Sequence, residues 1–196
     1  MKKGDYISTI LRSNKTVFSS KDIALLWGDS GTNAARIRIK YYIKTGGLYP
    51  LRRGLYSKDK NYDKFELATK IYTPAYISFE TVLAKAGVIF QFYDQVFVAS
   101  YQTREIVVDG KTYSFRKIKD EILTNSLGVE MKENYSIASP ERAFLDVVYL
   151  NKDYHFDNLS PLNWDKVYEI LLIYGGNKRM EQKVKKYQEA AGRGLN

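Results

Sequence analysis

Along the first third of the chain, apolar positions recur at helical spacing three times and then switch to strict alternation. In "GDYISTILRS", Tyr6, Ile7, Ile10 and Leu11 fall on one face and predict a short helix. "NKTVF" reads as a connector. "SSKDIALLWG" then carries helix-start chemistry: Ser19 suits the N-cap, Asp22 three residues on favours the positive helix end, and Gly28 suits the stop. Its apolar stripe is Ile23, Leu26 and Trp27. A third helix, "TNAARIRIKYYIKTGG", closes on Gly46 and Gly47. "LYPLRRGLYS", residues 48 to 57, alternates at period two and predicts two short strands around Arg52 and Arg53. Three helices followed by a hairpin is the order of a winged helix-turn-helix.

The pattern changes after residue 60. "SKDKNYDK", 57 to 64, is polar and reads as a linker, and "FELATKIY" as a short helix. "TPAYISFETVLAKAGVI" predicts an extended piece and then a helix capped by Ser78, with Glu80 in its first turn. "QVFVASY" and "REIVVDGKTYSFRKI" are β-rich, and Asp109-Gly110 between alternating runs signals a two-residue hairpin turn. "NYSIASPERAFLDVVYL" reads as a strand and then a helix, with Ser139 at the cap and Pro140 at the first helical position. The end is helical, broken at Gly175-Gly176, and its last helix has an apolar stripe of Met180, Val184, Tyr187 and Ala191. Lys178, Arg179, Lys183, Lys185 and Lys186 make a basic face there, which reads as a solvated face or as a surface for an acidic protein partner. The expected architecture is α+β. It has a winged helix-turn-helix over residues 1–60, then a mixed α+β domain over 61–196 with antiparallel hairpins and C-terminal helices.

Charge sharpens this division. The net charge is +9, and residues 1 to 60 hold 13 Lys+Arg against 4 Asp+Glu, which is the whole excess. Residues 61 to 196 balance at 18 of each. A generically basic surface would spread its charge, whereas a segregated excess is the footprint of a polyanion-binding module. Absence of cysteine excludes disulfides, thiolate zinc sites and a cysteine nucleophile, and it fits a reducing cytoplasm. No apolar run approaches the ~18 residues of a membrane span, and "MKKGDYIST" lacks an apolar signal core, so neither a membrane nor a signal peptide is expected.

On the third helix, with Arg36 set at zero and ~100° per residue, Thr32, Asn33, Lys40 and Lys44 fall between roughly −40° and +80°. Ala35, Ile39 and Tyr42 fall between roughly −60° and −120°. One face is cationic and hydrogen-bonding, and its neighbour packs. Arginine bonds guanine bidentately, asparagine does so with adenine, and lysine serves phosphate. The candidate DNA-binding residues are therefore Thr32, Asn33, Arg36, Lys40, Lys44, Arg52 and Arg53. A solvated amphipathic helix and a solvated hairpin edge are the plainer readings of the same pattern. Neighbouring strand positions point to opposite faces, so both arginines of the hairpin reach one surface only if a turn or bulge intervenes. Arg53, next to Gly54, is the one expected at the backbone.

Catalytic signatures are weak. The single histidine, His155, lies in the polar "KDYHFDN" without a partnered nucleophile. "DGK" at 109 to 111, with Glu80 and Glu105 upstream, loosely suggests a metal-dependent nuclease, but Asp-Gly is better explained as a hairpin turn. "GDSGTN" lacks the lysine of a P-loop, and no zinc spacing occurs. No enzyme, catalytic residue, metal or cofactor is expected.

Three stretches together resemble the AbiEi-type antitoxin family of type IV toxin–antitoxin systems, which act in abortive infection, a form of phage resistance. They are "FSSKDIALLWG…ARIRIKYYIKTGGLYPLRRGLYS", "YISFETVLAKAGVI" and "YSIASPERAFLDVVYL", in the family's order over roughly residues 5 to 150. The block "SPERAFLD" after a strand is the most specific. The resemblance implies a cytoplasmic transcriptional autorepressor that binds double-stranded DNA at its own promoter through helix 31–45 and hairpin 48–57. It also implies an antitoxin domain counteracting a nucleotidyltransferase-type toxin. The alternative is a winged-helix regulator whose second domain contacts proteins, with no toxin partner.

Overall fold

A computed structural model describes residues 5–29 and 33–193 of the chain. It divides into two compact units, Met1–Ile71 and Tyr72–Asn196.

The first unit contains helices α1 (Asp5–Leu11), α2 (Ser20–Leu26), α3 (Asn33–Lys44) and α4 (Lys64–Ile71) and strands β1 (Val17–Ser19), β2 (Tyr49–Arg52) and β3 (Leu55–Ser57). The strands form an antiparallel sheet in the order β1-β3-β2. The segment expected to be a connector thus supplies β1, a strand whose partner lies forty residues away: Val17 pairs with Ser57. Ser19 ends β1 and caps α2 at once. Its side chain accepts from the Asp22 N–H, and the Asp22 carboxylate accepts from the Ser19 N–H, closing a capping box. The core gathers Ile10, Phe18, Ile23, Trp27, Ala35, Ile39, Tyr42 and Leu48. The Trp27 indole N–H donates to the Tyr6 carbonyl at 2.8 Å, so the large side chain at the C-cap of α2 is both buried and satisfied. Leu11, expected on the packed face of α1, is instead 56% exposed.

The polar stretch 57–64 is not a boundary between compact units. Asp63 and α4 are tied back to the first unit, with Thr16 donating its N–H and Oγ1–H to Glu66 Oε2 at 2.8 and 2.7 Å. Lys70 pairs with Asp22 at 3.1 Å. The division therefore falls after α4 rather than before it. The charge segregation is unaffected, because residues 61–71 add two acids and two bases.

The second unit is built on a six-stranded mixed sheet of order β6-β7-β5-β4-β9-β8, with β4 (Ala75–Ile77), β5 (Val96–Ser100), β6 (Arg104–Val108), β7 (Lys111–Lys117), β8 (Val129–Lys132) and β9 (Tyr135–Ala138). Asp109 (φ 49°) and Gly110 (φ 76°) make the tight turn between β6 and β7, both in the left-handed region that a two-residue hairpin needs. Helices α5 (Glu80–Lys85), α6 (Asp120–Leu123), α7 (Pro140–Leu150), α8 (Trp164–Leu171) and α9 (Lys178–Arg193) complete the unit. A 3-10 turn, Leu172–Tyr174, and two left-handed glycines separate α8 from α9. The central element is α7, against which α5, α8 and α9 all pack. It starts on the Ser139 cap with Pro140 in its first turn. Every residue from Glu141 to Val148 is buried. No described helix is long and apolar enough to cross a membrane.

Candidate nucleic-acid interface

Helix α3 and the β2–β3 hairpin both carry basic residues that point outward from the first unit. Ala35, Ile39 and Tyr42 are buried, while Asn33, Arg36, Lys40 and Lys44 are exposed, so the two faces read from the sequence separate as expected. Thr32 lies outside the described residues. At the end of α3, the Tyr42 carbonyl accepts from the N–H groups of Gly47 and Leu48 at 2.8 and 3.1 Å, fixing where the hairpin leaves the helix.

The hairpin solves the alternation problem with both devices at once. Its register shifts between Pro50 and Arg52, which leaves Leu51 as an extra residue, and Arg53-Gly54 forms the turn. Arg53 is exposed at the tip. Arg52 is half-buried, and its Nη1 is shut away from solvent with no hydrogen-bond partner among the described residues. The tip rests on the start of α2, where the Ser20 N–H donates to the Gly54 carbonyl at 3.0 Å. That contact brings the tip beside Lys21, an exposed cation in the first turn of α2 that the sequence reading passed over. Its only signal was proximity, through β1, to a strand not foreseen.

The electrostatics follow from where the carboxylates go. Asp22 is taken by Ser19, Lys15 and Lys70. Burial pushes its carboxyl up, but the Ser19 donors and Lys70 outweigh this and hold it at about 2. Asp29 pairs with Arg38, whose guanidinium also lies 4.4 Å from the Tyr6 ring centroid. Glu66 is taken by Thr16. Arg38 is therefore structural, although it sits in the same helix. No described carboxylate forms an ion pair with Arg36, Lys40, Lys44, Arg52 or Arg53. A row of exposed cations without counter-charges raises the local potential and attracts polyanions.

The residues of "SPERAFLD" do something the sequence did not reveal. Arg142 and Asp146, four apart on α7, are both fully buried, with Arg142 Nε 3.4 Å from Asp146 Oδ1. Asp146 accepts from the hydroxyls of Ser78 (2.7 Å), Tyr174 (2.7 Å) and Tyr76 (3.0 Å). Burial pushes both tyrosine hydroxyls well above their ordinary range, so they stay protonated as donors. Arg142 donates to the carbonyls of Ile122 (2.6 Å) and Leu127 (2.7 Å). A charged pair closed off from solvent braces the second unit and offers nothing to a substrate. Ser78 spends its hydroxyl on Asp146, so it does not cap α5. The N-cap is Phe79, at φ 54° and without a side-chain cap bond.

The residues of the nuclease pattern have other roles. Glu80 pairs with Arg116 at 2.8 Å, Glu105 is exposed on β6, and Asp109 sits in the turn. Among the described residues, no group of three or more His, Cys, Asp or Glu side chains could hold a metal ion. His155 has an 89% exposed side chain. On α9, Met180 and Val184 are buried and Lys178, Arg179, Lys185 and Lys186 are exposed. Lys183 leaves the basic face: its Nζ donates to the Asn151 carbonyl at 2.8 Å and also to that of Lys152.

No protein-family model matches the chain. No curated protein matches it either. Among solved structures, the fold is similar to the crystal structure of RV2827C protein from Mycobacterium tuberculosis, with a TM-score of 0.52 and 9% sequence identity. The similarity covers 95% of this chain and 75% of that one. At that identity the likeness concerns the fold alone.

Proposed function

We propose that this protein is a DNA-binding transcriptional regulator whose first unit is a winged helix-turn-helix, with α3 as the recognition helix and the β2–β3 hairpin as the wing. The observation that carries the reading is the uncompensated row of Asn33, Arg36, Lys40 and Lys44 on the outer face of α3. Among the described residues, Asp22, Asp29 and Glu66 are committed to other partners. In this reading Arg36 and Asn33 meet base edges in the major groove, while Lys40, Lys44 and Arg53 meet phosphates. The three-stranded sheet and the order helix, strand, two helices, hairpin support it. The resemblance to AbiEi-type antitoxins extends the proposal: the DNA is the protein's own promoter, and the second unit counteracts a nucleotidyltransferase-type toxin.

The test is a titration of a labelled duplex from the chain's own upstream region, read by fluorescence anisotropy at several salt concentrations. If Lys40, Lys44 and Arg53 neutralise three phosphates, log K should fall against log salt with a slope of about −3. Arg36→Ala with Arg53→Ala should weaken binding roughly 10- to 100-fold, at about 1 kcal/mol or somewhat more per contact. Unchanged affinity in that double variant would remove the interface assigned above. Co-expression with a neighbouring nucleotidyltransferase should restore growth. Failure of rescue with DNA binding intact would leave a regulator whose second unit serves other proteins.

A further inference from the structure

We infer that the groove between α8 and α9 is the contact by which two copies of this chain pair around a two-fold axis. The groove has a volume of about 530 Å³ and is lined by Tyr168, Leu171, Leu172, Glu181, Gln182 and Lys185. Its floor is apolar and open to solvent. Leu172 is 78% exposed and Tyr168 39% exposed, at the point where the chain turns out of α8. An exposed leucine beside a concavity is the arrangement that a self-complementary surface uses, because each copy brings both the knob and the hole.

The charges on α9 say which occupant fits. The helix buries Met180 and Val184. Measured from Val184 at ~100° per residue, Glu181 and Lys185 fall at roughly +60° and +100°, and both line the groove. Arg179 and Lys186 fall on the other flank. Read along the groove, the signs run minus, plus at Glu181 and Lys185. That series reverses its signs when read backwards. An antiparallel second copy therefore sets Glu181 opposite Lys185 of its partner, and Lys185 opposite Glu181 of its partner, at once. No ion pair among the described residues of one copy uses Glu181 or Lys185, so the central pair is available to the partner. A strongly acidic or strongly basic ligand would meet a like charge at one of the two. A two-helix face lies at the small end of the range for specific interfaces, so the pairing is a weak one. The inference is independent of the DNA reading, although a dimer would supply the paired recognition helices that a palindromic operator requires.

The experiment is sedimentation equilibrium of the full chain from about 1 to about 200 µM, a range that brackets a micromolar dimer. The mass should climb from 22.7 kDa toward twice that value. Leu172→Asp should keep the chain monomeric throughout. Glu181→Lys should weaken pairing at least tenfold, because each of two symmetric contacts turns repulsive. Glu181→Lys combined with Lys185→Glu should restore it, since exchanged charges meet again across the axis. All three positions are on the surface, so circular dichroism should report wild-type folding in each variant. A wild-type chain that stays monomeric to the top of the range overturns the proposal, whether the groove is then empty or taken by another protein. So does a dimer that ignores Leu172→Asp and Glu181→Lys, because it would use a different surface.

Discussion

Replacing Asp146 with alanine removes the anion from the buried cluster on α7 and strands what surrounds it. Three hydroxyls, from Ser78, Tyr76 and Tyr174, lose their shared acceptor at 2.7 to 3.0 Å. The Arg142 guanidinium, fully buried, loses its only described carboxylate partner at 3.4 Å. Breaking one side of a buried pair costs about 3–5 kcal/mol, because the remaining charge is uncompensated in a medium that cannot solvate it. The lower half of that range is expected here, since Arg142 keeps the carbonyls of Ile122 and Leu127. The second unit runs from residue 72 to 196, and a unit of that size unfolds with an entropy of about 0.26 kcal/mol per kelvin. A loss of about 3–4 kcal/mol then lowers its Tm by roughly 12–15 °C. Urea and thermal unfolding followed by circular dichroism read the change, and the first unit's transition should stay in place. Asp146→Asn, which keeps the volume and one acceptor, should cost about half as much. A loss below about 1 kcal/mol for Asp146→Ala would refute the reasoning, since it would mean that the pair is neither dry nor needed.

Asp22 should give acid sensitivity to the first unit. Its folded pKa, about 2, lies below the ordinary 3.8, so the unfolded chain binds the proton more readily; the stabilisation is complete above pH 3.8 and is lost as pH falls through about 2. Asp22→Asn should cost roughly 1–2 kcal/mol at pH 7, after allowance for its partial exposure, and its Tm difference from wild type should shrink below pH 3.8 and vanish below about pH 2. Gly128→Ala should destabilise the second unit by roughly 2–4 kcal/mol in urea denaturation, because φ is +73° there and a Cβ would sit 2.7 Å from Ile170 Cδ1. Lys40→Ala should lower the salt slope of duplex binding by about 1 and weaken all sequences alike, whereas Arg36→Ala should relax sequence preference.

What the sequence made legible was local. The Ser19 cap with Asp22 three residues on, the Ser139-Pro140 helix start and the Asp109-Gly110 turn each depend on residues within three positions of one another, and all three stand in the structure. The amphipathic split of α3 was equally readable, since it needs only the 3.6-residue period. The misses are non-local. Strand β1 exists because Leu55 to Ser57 pair with it, α4 belongs to the first unit because Thr16 binds Glu66, and Ser78 abandons its expected cap for Asp146, 68 residues away. Lys183 looked like one more surface lysine until the fold brought the Asn151 carbonyl within reach. For the candidate interface, the sequence marked the cations but not which ones were already taken. Arg38 and Arg36 are two residues apart in one helix, and only the placement of Asp29 and Tyr6 separates them.

Strand β1 runs straight into α2, with Ser19 serving both elements, and β1 is hydrogen-bonded to β3, the central strand of the sheet and the second strand of the hairpin. The hairpin and α2 therefore cannot tilt independently. The tip carbonyl of Gly54, held by the Ser20 N–H, closes the brace at its far end. A ligand that meets Arg53 meets a loop already frozen in place, so little conformational entropy remains to be lost on contact. The same brace makes the hairpin a lever: a ligand that displaced its tip would carry the start of α2 along with it. That motion would pass into the core through Ile23 and Trp27.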